Sequence, residues 1–344
     1  MFLTEEQLAA RLKSGALDRV YLVYGDDGYM KRVYADRIVN AVLGDDSLRF
    51  FNFHEYEEDN TPFADIFADA DNLPVMSERT CLLVKDYPLS GLSAKEFEAF
   101  VQSLKNVPET AVIVFAFLTV DFTRNQYDYP KWQNVIKAFG ETGTAAELTH
   151  RTGNRLVRML VKGAKDRGAE LSAADAQYLI DVTGEDTGHL LNEIGKLCAY
   201  ADGQAVTREM IDRVVTKTVE ASVFDISDAI LRGDPDEALA AAFELLRRKV
   251  PIQSIIGALS SAYVNLYRLV TAAGDGKRYA DFAETFGYKS SYGVQKAAPY
   301  ARNRTPARAR EAIEILLEAD VITKSRAFDP ETLLTELVCR LAAV

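Results

Sequence analysis

The chain has 344 residues, enough for two or three domains of roughly 100 to 200 residues each. Its 48% hydrophobic content, 26% charged content and 10 prolines describe a folded globular protein and exclude a disordered or fibrous one. A net charge of −11 argues against a chain that grips nucleic acid alone, which needs concentrated Lys and Arg, and points to protein partners instead.

The opening stretch MFLTEEQLAARL carries a capping pattern, Thr4 with Gln7 three residues on, ahead of Leu8 and Leu12 at helical spacing. It predicts a helix, not a signal peptide. There is no basic leader, and no apolar run approaches the roughly 18 residues of a membrane span, so a cytoplasmic protein without a membrane partner is expected.

Up to about residue 150, short apolar runs alternate with amphipathic stretches. Strands are predicted at VYLVYG (20–25), LRFFNFHE (48–55), TCLLVKD (80–86), AVIVFAFL (111–118) and AAELTH (145–150). Helices are predicted at DGYMKRVYADRIVNAVLG, TPFADIFADADN and SAKEFEAFVQSLKN, the second capped by Thr61 with Pro62 at its first position. Alternating strands and helices imply a largely parallel sheet with helices on its faces.

After residue 150 the strand signals stop. Short helices are expected at TGNRLVRMLVKGAKDRG, SAADAQYLIDVTG with Ser172 as its cap, DTGHLLNEIGKLCAYADG and TREMIDRVV, with Gly168, Gly184 and Gly203 at helix ends. From about Ser222 the pattern stays helical: VFDISDAILRG, PDEALAAAFELLRRK, VPIQSIIGALSSAYVNLYRLVTAAG, YADFAETFG, TPARAREAIEILLEADVITKSRA and PETLLTELVCRLAAV. Pro235, Pro251, Pro306 and Pro330 stand at or near helix starts, where a missing N–H costs nothing. Arg302, Arg304, Arg308 and Arg310 form a basic cluster, which reads plainly as a solvated helix start and functionally as a DNA-facing patch.

Chemistry is harder to find. Cys81, Cys198 and Cys339 lie far apart in apolar segments, as buried reduced thiols do. His54, His150 and His189 lack the short ligand spacing of a metal site. The turn from YLVYG into DDGYMKR is where an α/β nucleotide-binding domain places its phosphate loop. That loop reads GxxxxGK(S/T), with backbone N–H groups and a Lys meeting the phosphates and a hydroxyl holding magnesium. Here Gly25 is followed by Asp26 and Asp27, and GKS or GKT occurs nowhere. The single Asp86 after TCLLVK reads as a solvated turn residue. GxSxG, HExxH and a Cys–His pair at catalytic spacing are also missing, so no catalytic, cofactor-binding or metal residues are expected.

Several stretches, in this order and spacing, resemble the delta subunit family of the bacterial DNA polymerase III clamp loader. They are YLVYGDDGYMKR, VMSERTCLLVKD, VTGEDTGHLLNEIGKLCAYADGQAVTREMIDRVV, VFDISDAILRGDPDEALAAAFELLRRKVPIQSIIGAL and LLEADVITKSRAFDPETLLTELVCRL. The resemblance covers essentially the whole length. It implies a degenerate AAA+ (P-loop NTPase-like) parallel-sheet domain over 1–150, a small helical lid domain over 151–215 and a helical collar domain over 216–344. It also implies a non-ATPase subunit of the DNA-directed DNA polymerase III holoenzyme that binds and opens the sliding clamp, the beta subunit. The collar would join the tau/gamma and delta-prime subunits, and primer-template DNA would be met only within the complex. ATP-using relatives place an arginine just after the glycine matching Gly184; GEDTGHLL has none there.

In that family an apolar pair before a strand patterned apolar-apolar-Ser/Gly-x-Arg holds the clamp. Val75 and Met76 stand in those positions before Ser77, Glu78 and Arg79, flanked by Leu73 and Pro74. Family members often carry Phe or Leu where Val75 is smaller. By burial preference alone, Leu73 to Met76 would plug the underside of the domain's own core; the resemblance turns them outward. Two other functions stay open on the residues alone: an ATP-hydrolysing AAA+ loader subunit, and a DNA-binding module built on Arg302 to Arg310.

Overall fold

β2 (Val20–Tyr24), β4 (Thr80–Lys85) and β5 (Ala111–Ala116) are continuous apolar runs because helices cover both faces of the sheet they share. Side chains alternate across a strand. Val20, Leu22, Leu82, Val84, Ile113 and Phe115 therefore enter one core, while Tyr21, Val23, Cys81, Leu83, Val112 and Val114 enter another on the opposite face. The computed structural model describes residues 1–44, 49–57, 61–119, 129–274, 299–301 and 304–344. They fall into two units, Met1–Thr152 and Gly153–Val344.

The first unit holds a six-stranded sheet. With β1 (Phe2–Thr4), β3 (Phe53–Glu57) and β6 (Thr144–Glu147), the order is β1-β6-β2-β5-β4-β3, and every described pairing is parallel. One face is covered by α1 (Glu5–Lys13) and α2 (Gly28–Leu43), which bury Leu8, Met30, Tyr34 and Ile38. The other carries α4 (Phe63–Ala70), α5 (Ala94–Lys105) and α6 (Tyr129–Thr142), with a single helical turn α3 (Arg49–Asn52) ahead of β3. Phe100 of α5 is fully buried at the centre of an aromatic cluster, 5.7 Å from Phe63, 5.8 Å from Phe67, 5.5 Å from Phe115 and 6.0 Å from Phe139 between ring centroids. This cluster fastens α4 to the sheet.

Several expectations shift. The opening stretch is not all helix: Phe2–Thr4 add an edge strand against β6, and the helix begins at Glu5 behind the expected Thr4–Gln7 capping box. LRFFNFHE is not one strand, since Arg49–Asn52 form a helical turn and pairing with β4 starts only at Phe53. Short apolar runs carry no period that separates the two. Thr61 does not cap α4; the extended backbone of Pro62, φ −56° and ψ 137°, puts the proline itself at the cap, with no side-chain hydrogen bond.

The second unit is helical, with two two-residue strands that the sequence did not suggest, β7 (Glu170–Leu171) and β8 (Ala205–Val206), paired in parallel. α7 (Asn154–Lys165), α8 (Ala173–Thr183), α9 (Thr187–Ala201) and α10 (Arg208–Val214) surround one core. Ser172 caps α8, and Gly168, Gly184 and Gly203 adopt the positive φ expected at helix ends. A second core gathers α11 (Val219–Arg232), α12 (Pro235–Arg247), α13 (Ile252–Gly274), α14 (Pro306–Ser325) and α15 (Pro330–Ala342). α11 serves both, with Ala221 in the first core and Val223 in the second. Lys217, 3.0 Å from both Asp212 and Asp225, ties the segment between α10 and α11 to each. YADFAETFG lies outside the described residues.

Cys81 and Cys198 are buried as expected, whereas Cys339 is exposed. On α15 the core face carries Val338 and Leu341, and the next residue after Val338 is turned about 100° away from it. No helix among the described residues is long and apolar enough to cross a membrane. Replacing Phe100 by Ala should destabilise the first unit by about 3 to 5 kcal/mol. Urea unfolding followed in that unit should show the loss.

Candidate functional site

The sheet has two ends with different chemistry. Its carboxyl end, where open α/β sheets bind ligands, holds the turn after β2. There Gly25 has φ 127°, and a Cβ on it would lie 2.1 Å from the carbonyl oxygen of Leu148, so the chain leaving β6 crosses directly over the turn. The N–H of Asp27 donates to that same carbonyl at 3.1 Å. Asp27, fully buried, caps α2 by accepting from the Met30 N–H at 2.9 Å, and Asp26 accepts from the His150 N–H at 2.7 Å. Lys31 is buried with its Nζ on the Gly25 carbonyl at 2.9 Å. The two carboxylates thus serve the protein's own N–H groups, and the lysine serves its own turn. Backbone N–H groups at a helix start and a lysine are what a phosphate would need.

Asp86, expected to be solvated, also has a structural task. It accepts from the Thr119 N–H at 3.0 Å and joins the exits of β4 and β5. Among the described residues no group of three or more His, Cys, Asp or Glu is placed to hold a metal.

The amino end of the sheet is apolar. β3 and β4 are parallel neighbours, with Phe53 opposite Cys81, so the segments that enter them, Arg49–Asn52 and 71–79, arrive side by side. Leu73 is 80% exposed, Val75 46% and Met76 87%, with Pro74 half-buried between them. Of the two orientations open to this stretch, the structure has the outward one.

What turns it outward is a side chain from the neighbouring segment. Asn52 is completely buried; its Oδ1 accepts from the Val75 N–H at 2.7 Å, and its Nδ2 donates to the Val75 carbonyl at 2.8 Å. Both backbone groups of Val75 are satisfied without a strand partner, leaving its side chain free to project. The base is rigid too. Ile66 and Ala70 of α4 are buried, and the Tyr56 hydroxyl of β3 donates to Asp69 near the helix end. Burial, together with that bond, raises the Tyr56 pKa, so the phenol keeps the proton it donates. Met76 sits in the left-handed region at φ 52°, a conformation that costs a non-glycine residue about 1 to 3 kcal/mol and gathers at functional sites. Burial pushes the Cys81 thiol up to about 12, so the cysteine beside the tip is neutral and inert.

Sequence reasoning missed Phe50 and Phe51. Taken as strand residues, they are instead 88% and 55% exposed on α3, edge to face at 5.3 Å, beside the Val75 segment. The available signal was Asn52, a poor strand former set between two aromatic residues. Of the basic cluster, Arg302 lies outside the described residues. Arg304 is half-buried, and Arg308 and Arg310 are exposed on the first turns of α14, where Arg310 pairs with Glu314 at 3.0 Å. The Gly184 turn leads into α9 through Asp186, which caps it by accepting from the His189 N–H at 2.7 Å.

Replacing Asn52 by Ala leaves the Val75 N–H and carbonyl without these partners. A loss of about 1 to 3 kcal/mol is expected, with faster hydrogen exchange at the Val75 amide, checked by denaturation and exchange measured on the same sample.

Comparison with known proteins agrees along the chain. The family model for the DNA polymerase III delta subunit matches residues 21–133, and the model for the C-terminal domain of that subunit matches residues 220–341. DNA polymerase III subunit delta of Bacillus subtilis is 23% identical over 96% of this chain and 94% of its own length. A probable DNA polymerase III subunit delta of Aquifex aeolicus is 21% identical over 93% of this chain and 90% of its own length. Among solved structures, a Bacillus subtilis DNA clamp loader delta protein superposes with a TM-score of 0.60 at 21% identity, covering 98% of this chain and 99% of that one. Two models of one family account between them for more than half of the residues, in the order the sequence predicts, and the chain belongs to the DNA polymerase III delta subunit family.

Proposed function

We propose that this chain is the clamp-opening subunit of its loader: it holds the ring-shaped sliding clamp through Leu73, Pro74, Val75 and Met76 and turns over no nucleotide itself. The observation that carries the reading is the apolar tip, displayed from a rigid base at the end of the sheet opposite the phosphate position. Fully burying a Val or Met side chain in a partner's pocket is worth on the order of 1.5 to 3 kcal/mol each, Met adapts to irregular pockets, and a few such anchors can dominate an interface.

The filled phosphate position supports the second half of the reading. Lys31 and Asp27 are committed to backbone groups, and the Leu148 carbonyl closes over Gly25, so a triphosphate would have to displace the protein's own contacts. Conformational change therefore has to come from ATP-binding neighbours in the assembly, which act on this subunit by favouring the state that exposes its tip. The helices of 151–215 act as the lid, and those of 216–344 form the collar that joins the tau/gamma and delta-prime subunits. Primer-template DNA is met only in the complete loader, and Arg304, just before α14, with Arg308 and Arg310 on its first turns, are the described basic residues offered to it. The work is done in the cytoplasm, with the replicating DNA.

Three outcomes are expected. In a pull-down with the cognate sliding clamp, the Val75→Ala, Met76→Ala double variant should lose most of the binding while remaining folded; binding equal to wild type would remove the assigned tip. Met76→Gly relieves the left-handed backbone while deleting the side chain, so it should be as stable as wild type or up to about 1 kcal/mol more stable, yet bind the clamp more weakly. Separately, labelled ATP at micromolar concentration should give no binding signal with the purified chain. A clear signal would restore the ATPase reading.

A further inference from the structure

We infer that Phe50 and Phe51 form a second contact element for the sliding clamp, coupled to Val75 and Met76 through Asn52; the inference rests on the reading that the tip binds the clamp. Among the described residues eleven large hydrophobic side chains are exposed, and five of them, Phe50, Phe51, Leu73, Val75 and Met76, belong to the two segments that enter β3 and β4. Scattered apolar side chains need no explanation, but a concentration on one corner marks an interaction surface.

Three features join the pair to the tip. Asn52 follows Phe51 directly, and its buried amide holds both backbone groups of Val75, so the α3 turn and the 73–76 loop are one mechanical piece. The two rings meet edge to face at 5.3 Å, an arrangement already formed before any partner arrives. Arg49, beside them, is turned away: its guanidinium lies 4.7 Å from the Phe53 ring centroid and donates to Asn40 at 3.2 Å, so the charge of this turn is directed to the protein's own groups. The α3 turn therefore offers two aromatic rings next to Val75, whose small side chain alone provides little area. Aromatic residues are enriched in the core of protein interfaces, and a partner that covers Val75 and Met76 comes within reach of Phe51.

The test uses the purified full-length chain, the cognate clamp and a surface-binding assay that resolves dissociation. Phe50→Ala with Phe51→Ala removes side chains that are mostly in solvent, so the variant should fold, and circular dichroism checks that it does. It should bind the clamp about tenfold more weakly or worse, chiefly through faster dissociation. Combining it with Val75→Ala and Met76→Ala should give a loss that departs from the sum of the two, as expected for groups on one coupled surface. If the aromatic variant binds like wild type while the Val75, Met76 variant does not, this inference falls and the tip reading stands. If the Val75, Met76 variant binds like wild type, the tip reading falls and the coupling falls with it. Sedimentation covers the other occupant: a wild-type dimer broken by the aromatic substitutions, with clamp binding unchanged, would assign the pair to a second copy of the chain.

Discussion

Two hydrogen bonds from one buried amide decide how this protein presents itself. Asn52 supplies an acceptor and a donor to the backbone of Val75 at 2.7 and 2.8 Å, doing for that residue what a neighbouring strand would otherwise do. A backbone satisfied in this way need not join the sheet, and side chains that would otherwise be drawn into the core stay in water. The cost of displaying apolar surface is met by the core beneath it: Ile66, Phe67 and Ala70 on α4, the ring cluster around Phe100, and the strand run Thr80–Lys85 that starts immediately after the loop.

At the opposite end of the same sheet, the turn after β2 is filled by the chain's own contacts. Asp27 neutralises the start of α2 from within, where a phosphate would otherwise sit on the free N–H groups. Lys31 reaches back to the Gly25 carbonyl and Asp26 reaches the amide of His150, so the exit of β6 is sewn over the turn. The architecture keeps its strand order while the groups that would meet phosphate are spent on the chain itself. The carboxyl end of the sheet is thus closed by the chain's own hydrogen bonds, while its amino end displays apolar side chains.

Much of the fold was legible in the sequence because its signals are local. The capping box of Thr4 with Gln7, the Ser172 cap, the positive-φ glycines at helix ends and the uninterrupted runs of β2, β4 and β5 each depend on residues a few positions apart. What escaped was set by distant partners. Phe2–Thr4 become a strand only because β6 is there to receive them, and the two-residue strands at Glu170 and Ala205 exist only as each other's partner. The helix Tyr129–Thr142 was not foreseen.

For the candidate site, the sequence by itself determined the family, the absence of GKS or GKT, and the position of an apolar stretch between α4 and β4. Its order of stretches and its residue types are properties of one dimension. The direction in which Leu73, Val75 and Met76 point, the exposure of Phe50 and Phe51, and the meeting of the two segments were decided only by the tertiary structure. The physical reason is that burial is a relation between residues far apart in the chain: a side chain at position 52 supplies the hydrogen bonds of position 75, and no period or composition of either stretch records that pairing.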